Sequence, residues 1–119
     1  MAELASAELI NVPEVGQRAV LWGLIMYVFS AELWQYDGPG AWYFLSLPPD
    51  IADDIRAEFG AQAAGFGSIK VEAAVRSTQW TTSLFPDKTR GTYLLPIKKS
   101  VRAAENLEVG DMATVSLRI

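Results

Sequence analysis

Two stretches of this chain carry the same pattern fifty positions apart. "LPPDIADDI" begins at Leu47 and "IKKSVRAAE" at Ile97, so Leu47 matches Ile97 and Ile51 matches Val101. Each follows an apolar, strand-prone run and precedes a glycine-containing turn and an alternating strand. The repeated unit is therefore strand, short helix, turn, strand. A unit this small buries too little surface to fold alone, because the buried fraction falls with chain size. Two of them can close around one interior. The chain has 119 residues, which suits one domain with a modest core. The expected minimal folded unit is a monomer, with weak dimers at most.

The rest of the pattern agrees with a strand-rich fold. "YVFSAELWQY" and "AWYFLSL" are aromatic and β-branched runs separated by the turn "DGPG". Residues 48–59 read as a short helix, with Pro49 in the first turn, acids at the N-terminal end and Ile51, Ile55 and Phe59 as the buried stripe. "GAQAAGFG" reads as a loop. "SIKVEAAVR" alternates, with Ile69, Val71, Ala73 and Val75 on one face. "TQWTTSLF" and "TYLLPI" follow as strands around the loop "PDKTRG". A second short helix spans about 98–105, and "MATVSLRI" closes the chain as a strand. The expected fold class is mainly β (α+β). It is a small closed or double-split barrel of about six strands with two short helices, built from the duplicated unit.

Val101, Arg102, Leu107, Gly110 and Asp111 resemble the swapped-hairpin pattern of AbrB-type barrels. Lys98 stands where that pattern has proline, and Glu105 where it has an apolar residue. A closer resemblance covers residues 26–119. "FSAELWQYDGPGAWYFLSLP", "WTTSLFP" and "YLLPIKKSVR", in that order, resemble a small bacterial domain family of unknown function numbered nineteen-oh-five. The resemblance implies a compact AbrB-like or double-split β-barrel and no established activity. It also implies a start near Met26. Residues 1–25 are accordingly expected to be an N-terminal extension, as an upstream start codon would produce, and dispensable for folding.

Composition limits the chemistry. The chain has no Cys and no His, so disulfides, ordinary zinc sites and imidazole-based triads are unavailable. No catalytic residue, metal or cofactor is assigned. The apolar run at 19–29 is too short for the roughly 20 residues a membrane helix needs, and its acidic flank lacks the basic region of a signal peptide. The expected location is the cytoplasm, without membrane contact. Net charge is −4, which disfavours broad nucleic-acid binding, since phosphate neutralisation needs a cationic face.

One local rule is broken. Between Pro86 and Arg102, five cations (Lys88, Arg90, Lys98, Lys99 and Arg102) face only Asp87, and two lysines open a helix whose dipole disfavours them. The candidate ligand site is an anion-binding patch of Lys98, Lys99 and Arg102, using free N–H groups at that helix start. Lys70, Trp80, Thr82 and Ser83 are expected to line a pocket beside it. Trp34 and Trp42, flanking the "DGPG" turn, are a candidate aromatic platform for a flat ligand. The alternative reading makes these a solvated loop and core aromatics. Three functions follow: a binding module for a small anion or protein partner, a DNA-binding AbrB-like barrel, and an enzyme working without His or Cys.

Overall fold

Alternating burial along each strand builds the sheet. Ile69, Val71, Ala73 and Val75 are at most 6% exposed, while Lys70 and Glu72 between them face solvent. Ala113, Val115 and Leu117 repeat the pattern at the C-terminal end. A computed structural model describes residues 13–21 and 23–119. The strands are β1 (Gln17–Leu21), β2 (Leu24–Glu32), β3 (Trp34–Gln35), β4 (Tyr43–Ser46), β5 (Ile69–Val75), β6 (Thr78–Asp87), β7 (Thr92–Pro96) and β8 (Met112–Arg118). Helix α1 (Pro49–Phe59) follows β4, and α2 (Lys99–Ala104) follows β7. Short 3₁₀ turns at Gly60–Gln62 and Gly65–Gly67 occupy the expected loop.

The described strands form one antiparallel, curled half-barrel in the order β1-β2-β8-β5-β6-β7-β4-β3. The fold is mainly β, as expected, but with eight strands rather than about six. One extra strand arises because the run read as a single strand breaks at Leu33. Leu33 is fully buried, and its backbone bonds the Gly110–Asp111 turn in both directions, at 2.9 Å each. The other is β1, which pairs with β2 within the segment expected to be an extension. The expected boundary at Met26 falls inside β2, and residues 1–12 of that segment lie outside the described residues.

The fifty-residue offset reappears in the pairing. Across β4 and β7, Leu45 faces Leu95, Phe44 faces Pro96 and Ser46 faces Leu94. Exchanging the two halves maps this register onto itself. Two backbone bonds obey the same exchange: Leu47 N–H donates to the Tyr93 carbonyl at 3.0 Å, and Ile97 N–H to the Tyr43 carbonyl at 2.9 Å. Leu47, Ile51, Ile97 and Val101 lie in one core at 1–4% exposure. Strand β5 follows α1 and pairs with β6 and β8; β8 follows α2 and pairs with β2 and β5.

Each helix is tied down by its own polar contacts. Ile51 and Ile55 of α1 are buried, with Ala52 beside them. The acidic face of α1 is gathered by Arg18, which bonds Asp54 at 2.8 Å and Glu58 at 3.2 Å, and by the Tyr27 hydroxyl, which donates to Asp54 at 2.7 Å. Burial and the Asp54 carboxylate push the Tyr27 phenol well above its ordinary pKa. Helix α2 ends in a left-handed cap at Asn106 (φ 53°), with Leu107 N–H bonding the Arg102 carbonyl at 2.8 Å and the Leu107 side chain buried. That is the Schellman arrangement, which satisfies carbonyls the helix leaves open.

Candidate functional site

The expected ligand residues converge on one cleft of about 770 Å³ between the β5–β6 hairpin, the start of β4 and the start of α2. Lys70, Trp80, Thr82, Ser83, Lys98, Lys99, Arg102 and Trp42 all line it. The strand register explains the first group. Lys70 lies directly opposite Ser83 across the β5–β6 pair, Val71 opposite Thr82, and Ala73 opposite Trp80. Alternation then puts Trp80 and Val71 in the core and leaves Lys70 exposed. The second group arrives with α2, which starts straight after β7.

Arg102 is held more firmly than its charge requires. Its guanidinium lies 3.7 Å from the Tyr43 ring centroid, and Nη1 donates to the Ile97 carbonyl at 2.8 Å. One N–H is thus committed to the protein, and the planar group is oriented before anything binds. Among the described residues no carboxylate lines this cleft, and Lys70, Lys98, Lys99 and Arg102 form no ion pair. Trp80 is 8% exposed, and its indole N–H is buried without a partner. A buried unpaired donor costs about 1–3 kcal/mol; Trp80 belongs to the core cluster, and its N–H is not open to the cleft.

The helix-terminus contribution needs correction. Helix α2 has six residues, too few to supply the aligned dipole that makes a longer helix start an anion site. Any anion here is held by side-chain cations. The basic run also divides. Lys88 and Arg90 line a second, larger cleft of about 1360 Å³. There the two arginines are already engaged: Arg90 pairs with Asp87 at 3.2 Å, and Arg56 with Asp53 at 2.9 Å and the Gly91 carbonyl at 3.0 Å.

The two tryptophans do not form a single platform. Both touch Phe44, Trp42 stacked at 6.0 Å with an interplanar angle of 4° and Trp34 tilted at 5.3 Å. Trp34 bonds the Ser46 hydroxyl at 3.0 Å, carries Arg90 4.7 Å above its ring, and lines the larger cleft. Trp42 alone faces the basic cleft. Gly40 makes room for it: with φ at 86°, and with a Cβ there only 3.0 Å from the indole, no other residue fits comfortably.

Sequence reasoning missed Tyr43 beneath Arg102, a contact between β4 and α2 with no local signal. It also left Glu105 without a role. That side chain, polar where an apolar residue was expected, is 7% exposed and accepts hydrogen bonds from the Thr78 hydroxyl and from Arg76 at 3.2 Å. The Thr78 bond first, then Arg76, lowers its pKa below the ordinary 4.5. A carboxylate lowered on folding stabilises the native state above its unfolded value and loses that contribution as pH falls through the folded value. Thermal melts between about pH 6 and about pH 3 are expected to show a steeper acid loss for the native chain than for Glu105→Gln. Parallel curves would remove Glu105 as the anchor of α2.

No described helix is long and apolar enough to cross a membrane. Residues 29–117 match one family model, described as a domain of unknown function (DUF1905), the family that the three sequence motifs resemble. The curated proteins contain no match.

Proposed function

The chain belongs to the DUF1905 family, and on that premise we propose that it is a non-catalytic binding module whose basic cleft holds a small anion. The observation that carries this reading is the set of four cations, Lys70, Lys98, Lys99 and Arg102, lining one cleft with no carboxylate among them. Like charges held together without counter-charge repel each other, and an anion relieves that repulsion while gaining charge-assisted hydrogen bonds. The volume of about 770 Å³ falls within the range of small-molecule sites. The Ser83 hydroxyl, opposite Lys70 on the same face of the β5–β6 pair, adds a donor.

The scaffold reading goes with it. We take the curled sheet as two copies of one strand-helix-strand unit around a shared interior, in the manner of an AbrB-like or double-split barrel. The exchangeable register about Leu45 and Leu95 supports this. A chain that carries both halves needs no second subunit to complete its core, which favours a monomer.

The test is thermal unfolding of the whole chain in phosphate or citrate, with ionic strength held constant against chloride. A ligand that binds only the native state stabilises it by about 2.7 kcal/mol at a hundred times its Kd, so the midpoint rises with anion concentration. No rise with any anion tested contradicts the reading. Binding of duplex DNA that weakens by about 10³ or more between roughly 50 and 200 mM salt would favour a nucleic-acid reader instead.

A further inference from the structure

We infer that the ligand of the basic cleft is a flat aromatic ring bearing an anionic group, a carboxylate or a phosphate; this rests on the anion reading above. Three observations point to the ring. Trp42 is 51% exposed at the cleft, although Phe44 stacks behind it with nearly parallel planes. A half-exposed indole set parallel to a neighbouring ring is a stacking surface, and offset stacking is the preferred arrangement of aromatic pairs. Gly40 lies against the indole and would crowd it if it carried a Cβ, so a glycine here leaves the ring the room it occupies beside the cleft.

The anionic end is matched by Arg102, whose guanidinium lies over Tyr43 and is oriented by the Ile97 carbonyl. A planar fork fixed in this way suits two-pronged contact with carboxylate or phosphate oxygens. Lys98 and Lys99 add charge on the same side. The cleft lining also includes Phe85 and Pro96, apolar surface that a bare phosphate would leave wet. The larger cleft has aromatics too, but its arginines are spent on Asp53 and Asp87.

Isothermal titration of the whole chain with two matched pairs of probes tests this. The carboxylate pair is 2-naphthoate and acetate; the phosphate pair is adenosine monophosphate and ribose 5-phosphate. The ring-bearing member of at least one pair is expected to bind about fivefold or more tighter than its ringless partner, since stacking of one ring on an aromatic side chain is worth about 1–3 kcal/mol and about 1.4 kcal/mol is a factor of ten. The pair showing the preference identifies the anionic group. Trp42→Ala is expected to erase the preference and Trp42→Phe to retain most of it. Equal affinity within both pairs, or a preference that survives Trp42→Ala, overturns the inference while leaving the anion site standing. Failure of all four probes to bind overturns the anion reading itself.

Discussion

Leu45→Ala and Leu95→Ala are each expected to lower the unfolding free energy by about 2–5 kcal/mol, the range for truncating a fully buried leucine. Both side chains are 0% exposed, and they face each other across β4 and β7. Each truncation removes transfer energy and leaves a cavity that a close-packed interior only partly closes. The two losses should be similar, because the register surrounds both positions with equivalent partners. The double variant should depart from the sum of the singles, since residues in contact share one cavity. For a domain whose total stability is about 5–15 kcal/mol, either change is large. Urea denaturation measures it. A loss below about 1 kcal/mol at either position would place that leucine outside the common core and break the equivalence of the halves.

Lys98→Glu combined with Lys99→Glu is expected to weaken anion binding by about a hundredfold or more. The substitutions turn a cleft lined by four cations into one with two cations and two carboxylates. Each lost charge-assisted hydrogen bond is worth about 1.5–3 kcal/mol, and about 1.4 kcal/mol is a factor of ten in affinity. Folding is expected to survive. Both lysines are exposed, and substitutions at exposed positions usually change stability by no more than about 0.5 kcal/mol. Titration calorimetry with phosphate, run beside a thermal melt of the same variant, separates the two effects. An unchanged Kd in a normally folded variant would exclude this patch as the site.

What the sequence made legible follows from how local each signal is. The stripe Ile51, Ile55 and Phe59, the alternation from Ile69 to Val75, and the match of Leu47 with Ile97 are short-range patterns, and burial follows them closely except at Phe59, at the end of α1, which is half-buried. The nearness of Ser83 to Lys70 was within reach because a two-residue hairpin turn at Arg76 and Ser77 fixes the register that sets them opposite each other. The break at Leu33 was not within reach. It depends on backbone bonds to the Gly110–Asp111 turn, nearly eighty positions away. The same holds for Arg102 over Tyr43, and for the way Phe44 parts Trp34 from Trp42. Helix α2 ended short of the expected range because Glu105 and Asn106 turn to cap it, with Asn106 in the left-handed region. The departure of Glu105 from the AbrB-type pattern was visible in the sequence; its partner Thr78 was not.

The most direct measurement is an amide chemical-shift titration of the uniformly labelled chain with phosphate at constant ionic strength. Saturating shifts are expected at Lys70, Ser83, Lys98, Lys99 and Arg102, giving one common Kd. Shifts centred instead on Arg56, Lys88 and Thr89 of the larger cleft, or changes that never saturate anywhere, would contradict the assignment of the basic cleft as the binding site.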